Sequence, residues 1–474
     1  MSTFSSLNTA YSGLAAAKAG IDVVGQNISN VGTDGYTRQR LNTSSVPGAT
    51  RAGMFSVGVA PGQGVAITGV ARLGDASLDA ALRAASASSG YASVRADTLS
   101  SFEESLNEPG SNGLSAGLHD FWAAWQAVSN QAGDPAPAGA LLGSAATLTA
   151  RLSTIYRGVQ SQWGTTRASV DSMVSDVNAA AKQVAELNVR IRQSQLAGDP
   201  ANELLDQRAQ LTTSLAAAVG GTVRDAGDGT VDVLVGGNPL VTGGTARAIA
   251  ASGSAVLEGA SADPVTLSWV DHPGVPLTLQ GGRLAGALSV LAPADGQGRG
   301  GMLAEAAASL DSFAVTLAGQ VNAVHRTGVT ASGATDASFF GFDPGQPAAL
   351  GLHVIPTGVD GIAAAAPGAG GKNGTVADQI SGLGAGAGSP DSVWASFVVG
   401  IGTASKSEQQ QADLAELGRT SAENAQLSQS SVDLDEENTS LIALQHAYQA
   451  AARVMTTIDQ TLDTLINHTG TVGL

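Results

Sequence analysis

The chain has 474 residues with an apolar share of 43%, enough for two to four domains, yet only 4% aromatics against 61 glycines. Its cores must therefore be built from Ala, Leu and Val in thin helical layers rather than as a bulky globule. The 23 basic residues face 40 acidic ones, and the net charge of −17 repels phosphate backbones and anionic lipid, which argues against nucleic-acid and membrane partners. With no cysteine, disulfides and thiolate metal sites are excluded. No apolar run approaches the roughly 20 residues of a membrane span. The opening MSTFSSLNTAYSGLAAAKAG places Lys18 after its apolar residues, unlike a secretory signal, so export would need a route without a cleaved signal peptide.

In chain order, Phe4, Leu7, Tyr11, Leu14, Lys18, Ile21, Gly25 and Ile28 recur three and four apart, predicting a helix whose heptad seam awaits partner helices. The loop NISNVGTDGYTRQR follows. Asn27 and Asn30 can cap backbone groups, Gly32 and Gly35 permit positive φ, and Tyr36 can anchor the loop on a neighbouring surface. Such a loop is more specialised than a chain reversal needs. Asn27, Asn30, Gly35, Tyr36 and Arg38 are therefore expected at a subunit contact, or in an extension linking the first helix to the rest.

Leu99, Phe102 and Leu106 predict one further helix, and Phe121, Trp122, Trp125 and Val128 another. Between them, Gly113 to Gly117 matches the nucleophile-elbow spacing, but no strand precedes it, so Ser115 is read as part of a helix start. Val170, Met173, Val177, Ala180, Val184, Leu187 and Ile191 form a long helical row. After the Gly198–Asp199–Pro200 break, Leu204, Leu205, Leu211 and Leu215 continue it as the second arm of a helical hairpin.

Past Gly220 the grammar changes to short β-prone runs at 222–224, 230–235, 239–241, 265–270 and 275–279, punctuated by glycine turns. Helical spacing returns at Arg283 and again around Leu310, Phe313, Leu317 and Val321. Residues 329–388 are rich in Gly, Ala and Pro and read as loop with at most a short hairpin. Lys372 in GAGGKNG lacks the first glycine and the hydroxyl residue of a phosphate loop. A last helical stretch resumes near Val393.

The cluster DLDEEN reads as a helix cap, with Asp433 at the N-cap and Glu436 three residues on. A calcium loop would need glycine where Asn438 stands. Leu441, Leu444, Tyr448, Ala451, Met455, Ile458, Leu462 and Leu465 form a second heptad seam. Both narrow seams bury little, so the terminal helices are expected to order fully only against neighbouring copies. The six histidines, His119, His272, His325, His353, His446 and His468, show no ligand spacing and are read as surface or helix-face residues. Neither carboxylates nor histidines make a case for an enzyme, a metal or a cofactor.

NISNVGTDGYTRQR resembles the N-terminal signature of the flagellar axial proteins, which build rod, hook and the hook–filament junction. LDEENTSLIALQHAYQA is similar to the C-terminal motif of the same family, here Leu434 to Glu437 and Gln445 to Ala450. FEESLNEPGSNGLS, VAELNVRI, NELLDQRAQL, GGNPLV and GGRLAGAL look like internal segments of its junction-forming members, in the same order. The GKNG at 371–374 and the DPAPAGA at 134–140 depart from the family pattern.

The resemblance implies a mainly α, elongated multi-domain rod with an inserted β module. Residues 1–73 with 426–474 would form inner-tube helices and an extension, and 74–220 with 281–328 and 389–425 the helical rod. A β-rich outer module would span 221–280, leaving 329–388 as loop. It adds Leu434, Glu436, Glu437, Gln445, Tyr448 and Gln449 to the expected interface or motif positions. Implied partners are further copies of the chain in a tube, hook protein, a second junction protein and an export chaperone, at an extracellular location. The alternatives are another axial protein of hook or rod type, a secreted helical interaction protein unrelated to flagella, and an enzyme whose site is not visible.

Overall fold

The computed structural model describes residues 3–48 and 62–468. Positions 1–2, 49–61 and 469–474 of the expected terminal module, and the side chains of Phe4 and His468, lie outside the described ones. Helix α1 (Thr3–Ser29) leads through the signature loop into a two-stranded ribbon, β1 (Gln39–Ser45) paired antiparallel with β2 (Val65–Arg72). No strand is predicted there, because QRLNTSS offers no apolar alternation. Only pairing with VAITGVAR makes it a strand.

The rod follows. Helices α2 (Ala76–Leu106) and α3 (Leu114–Asn130) precede α4 (Pro135–Ala197), whose 63 residues make a rod of about 95 Å. Asp134 caps α4 by accepting from Ala136 N at 2.9 Å, with Pro135 in the first turn where a missing N–H costs nothing. The predicted row from Val170 to Ile191 is only the second half of this helix. Its first half is buried through Leu141, Leu148, Leu152 and Trp163. Ser115 lies in the first turn of α3, as a helix start requires. Helix α5 (Asn202–Val219) returns alongside α4 after Gly198, which has φ +90°.

Seven strands come next. β3 (Thr222–Asp225), β4 (Val231–Val235), β5 (Asn238–Thr242) and β6 (Thr245–Ala246) form one antiparallel sheet, and β7 (Ile249–Ser252), β8 (Thr266–Trp269) and β9 (His272–Pro276) a second. Their buried residues, among them Val233, Leu240, Ile249 and Trp269, belong to one continuous core with α4 and α5, so the sheets pack as part of the rod. Two asparagines of α4 fasten them. Asn178 exchanges bonds with the Ile249 backbone at 2.8 and 2.9 Å, and Asn188 does so with Val231.

The chain re-enters the helices at α6 (Gly282–Leu291), where backbones nearly touch. A Cβ on Gly282, already at φ +85°, would lie 2.6 Å from the Ala218 carbonyl. Helix α7 (Met302–His325) then leads into residues 329–388, which hold more structure than expected. There β10 (Phe340–Phe342) pairs with β11 (Leu352–Val354) around the short α8 (Ala348–Gly351), followed by α9 (Thr375–Ser381). The last helices are α10 (Pro390–Ser430) and α11 (Leu434–Asp463).

Residues 329–388 are fastened to the helices in part by His325, one of the histidines read as surface or helix-face, which is fully buried at the end of α7. Its ring stands 5.5 Å from Phe339 and 6.0 Å from Trp125. The neutral ring fits both its bonds: Nδ1 donates to Ala337 O at 2.7 Å and Nε2 accepts from Ala363 N at 2.9 Å. Burial pushes its pKa below the usual imidazole range, against the pull of the Ala337 carbonyl.

The unfolded chain thus takes up this proton more readily than the folded one. The contribution of His325 is complete above about pH 6.5 and is lost as pH falls from there towards the depressed folded value. The melting temperature is expected to decline as pH falls below about 6.5. In His325→Gln that part of the decline should vanish, from a lower melting temperature at pH 8. An unchanged slope in the variant would assign the decline to other groups.

Candidate functional site: the joint between terminal helices and rod

Helices α1 and α11 pack antiparallel, with Leu444 seated on Gly20, where a Cβ would stand 2.9 Å from Leu444 Cδ2. On α11 the predicted seam is half-buried at Leu441, Leu444, Ala451, Met455, Ile458 and Leu462, while its members Tyr448 and Leu465 are exposed. On α1 the buried row is Ala10, Ala17, Gly20, Val24 and Asn27, one residue before the predicted seam at most positions. The reason is size: small residues let the α11 leucines approach the α1 backbone. Leu7, Leu14 and Ile21 therefore stay half-buried, and Tyr11 is 60% exposed.

At the base of this helix pair the signature residues converge. Asn27, 1% exposed, donates Nδ2 to Gln39 O at 2.9 Å and to Glu437 Oε2 at 3.1 Å. Its Oδ1 accepts from the Tyr36 hydroxyl and from Gln39 N, both at 2.9 Å. Every hydrogen-bonding direction of this amide is therefore used. Arg38 grips the start of α11, with Nε on Glu437 Oε1 at 2.7 Å and NH1 on Glu436 Oε2 at 2.6 Å, and its backbone N donates to Ser430 O at 2.8 Å. Burial opposes its charge, but the bonds to Glu436 and Glu437 prevail and raise its pKa. Tyr36 is pushed up to about 12 by burial, then by Glu203, Asp206 and Glu437, and so remains a neutral donor to Asn27.

The other side of the joint is the rod. Thr37 N donates to Asp206 Oδ2 at 3.0 Å, and Arg72 at the end of β2 pairs with Asp206 and Asp79. Gln39 Nε2 donates to Glu203 at 3.3 Å, and Gln39 Oε1 accepts from Asn202 at 3.0 Å. Gly35, at φ +75°, lies against the Gln210 side chain, whose Nε2 donates to Asp34 O at 2.7 Å. Beside the loop opens a groove of about 1100 Å³ between α5, the C-terminal part of α4 and the end of α10.

Of the residues predicted for this site, Asn27, Gly35, Tyr36, Arg38, Glu436 and Glu437 are thus brought together within one chain. Asn30 only closes α1, through Gln26 O at 2.9 Å. Leu434 is exposed in the first turn of α11, and Gln445, Tyr448 and Gln449 are exposed along it, away from the joint. Asp433 caps α11 by accepting from Asp435 N and Glu436 N at 2.8 and 3.2 Å. Gln39, Arg72, Asn202 and Asp206 were missed. A signal existed for two of them, since Asn202 and Asp206 lie in NELLDQR, quoted above without a role. Among the described residues no group of acidic and histidine side chains could hold a metal ion.

Paired terminal helices jointed to a long helical rod define an axial protein of the flagellar kind. Residues 99–340 match the family profile of the flagellar hook-associated protein FlgK helical domain, and the chain belongs to that family. Residues 7–37 match the flagella basal body rod protein profile, and 424–468 that of the flagellar basal body rod FlgEFG protein C-terminal region. The chain is 29% identical to flagellar hook-associated protein 1 of Bacillus subtilis over 516 aligned positions, covering 100% of this chain and 99% of that one. It is 33% identical to flagellar hook-associated protein 1 of Salmonella typhimurium over 70% of this chain and 59% of that one. The solved flagellar hook junction protein FlgK of Burkholderia pseudomallei has the same fold, with a TM-score of 0.62 at 16% identity over 73% of this chain and 99% of that one.

Proposed function

We propose that this chain is the subunit of a short tubular zone joining hook to filament, and that its work is mechanical rather than enzymatic. The carrying observation is the α1 seam: Leu7, Leu14 and Ile21 remain only half covered and Tyr11 exposed after α11 has packed. Neighbouring copies would supply the missing burial, and both terminal helices gain order as they do so. Residues 1–73 and 426–474 act as the tube-forming part and its extension, the helices between 74 and 425 as the rod, and 221–280 as its β-bearing flank. Within this reading the signature loop serves as the link between tube and rod. Hook protein, a second junction protein and an export chaperone are the partners, at an extracellular site.

The test is addition of purified chain to isolated hooks that lack their junction, followed by the next junction protein and flagellin. Filament growth should depend on the chain and be lost in Leu14→Ser/Ile21→Ser, with the rod's melting temperature unchanged. Because each copy carries −17, assembly should be faster at 0.3 M than at 0.02 M salt, where repulsion reaches beyond about 20 Å. Growth without the chain, or equal growth with the seam variant, would overturn the reading.

A further inference from the structure

Helix α10 changes character midway. From Pro390 to Ile401 it is held by apolar packing. Trp394 is 1% exposed, lies 5.5 Å from Phe313 and 5.2 Å from Phe397, and donates Nε1 to Glu108 at 2.9 Å. From there to Ser430 only Ser405 and Ser430 are buried, and the half-buried positions include Glu408, Ala412, Ala415 and Gln426. No large apolar side chain anchors this half; Leu414 and Leu417 point to solvent at 69% and 66% exposure. It is held to α2 by polar rungs instead. Arg95 Nε bonds Glu408 at 2.9 Å, Ser89 Oγ donates to Glu416 at 2.9 Å, and Gln426 Nε2 donates to Asp79 at 2.5 Å.

At the change stand Gly400 and Gly402, in VVGIGTAS. Packing requires neither of them: a Cβ at Gly400 would meet open space, and one at Gly402 only the end of the flexible Glu103 side chain at 3.3 Å. Interior glycines loosen a helix, and kinks concentrate at Gly and Ser. We propose that α10 is two mechanical units within one continuous helix. Gly400 and Gly402 form a flexure, and residues 403–430 open from α2 as a sub-global unit while 390–399 stay in the core. Because Ser430 O accepts Arg38 N, the opening arm carries its side of the joint and α11 with it. That consequence rests on the function proposed above, since it lets the tube-forming helices adjust their angle to the rod between a curved and a straight neighbour. The opening itself does not rest on it and is measured on the unassembled chain.

Native-state hydrogen exchange of the full chain should show amides of 403–430 exchanging at least about tenfold faster than those of 390–399. In Gly400→Ala/Gly402→Ala the arm should slow by about five- to thirtyfold, as two interior glycine-to-alanine changes imply, with α7 unaffected. Glu408→Gln, which weakens the rung nearest the two glycines, should speed the arm alone. Equal protection on both sides of Gly402 would overturn the proposal, as would alanine variants that slow both halves alike. If the arm opens as expected while hook capping is unimpaired in the alanine variant, the opening stands and its mechanical use fails.

Discussion

Arg38→Ala is expected to free the terminal helices while the rod stays folded. Glu437 is only 2% exposed, and once Arg38 is gone it keeps a single side-chain donor, Asn27 Nδ2 at 3.1 Å. Removing one partner of a buried ion pair costs about 3 to 5 kcal/mol, and the lower end applies because Arg38 is itself 22% exposed. The helix pair has little with which to offset that loss, since among its described apolar side chains only Ala10, Ala17 and Val24 are buried. A loss of about 3 kcal/mol is roughly a hundredfold in the detached population. Trypsin should therefore cut after Lys18 and Arg453 about a hundred times faster in the variant, at an unchanged melting temperature of the rod.

The double variant Arg38→Met/Glu437→Leu, which removes both charges and keeps their volume, should restore most of the protection. A rod that melts lower in Arg38→Ala, with cleavage rising equally in α4 and α11, would make the joint part of the rod's core. Protection that stays lost in the double variant would mean that the pair's charge is not what holds the helices.

Much of this arrangement was legible. The α11 seam, the Asp433 cap and the row from Val170 to Ile191 follow from spacing, because one face of each helix meets one surface. The α1 seam was displaced by a residue because Ala and Gly, not the larger side chains, decide how closely two backbones approach. Periodicity of large apolar residues does not register that choice. The same blindness hid His325 among apparently scattered histidines. The joint was half legible. Its loop is conspicuous for its density of Asn, Gly, Tyr and Arg, but the partners Asp206 and Asn202 lie more than a hundred residues away, and no local pattern announces a contact of that span.

Asn188→Leu is expected to be among the most destabilising single changes in the chain. The residue is fully buried on α4, and its amide serves the sheet on both sides. Nδ2 donates to Val231 O at 2.8 Å and Gly243 O at 2.7 Å, while Oδ1 accepts from Val231 N at 3.1 Å and Arg208 NH1 at 2.9 Å. Leucine nearly matches its volume but leaves two carbonyls, one amide and part of a guanidinium without that partner. Each buried orphan costs about 1 to 3 kcal/mol. Arg208 keeps Gly229 O at 2.7 Å, so its share is small, and the total is about 4 kcal/mol.

How that loss appears distinguishes two architectures. If 221–280 were an independent lobe, the variant would melt in two steps and the helical circular dichroism would keep its wild-type midpoint. The continuous core of strands, α4 and α5 predicts instead a single transition, lowered for strand and helix signals together. Excision of 221–280 gives the complementary result. Gly220 lies against Gly281, with a Cβ on Gly220 only 2.8 Å from Gly281 N, so the helices can be rejoined without strain. The rejoined chain should keep its helical signal but expose the α4 face that carries Asn178 and Asn188, and melt well below the intact chain.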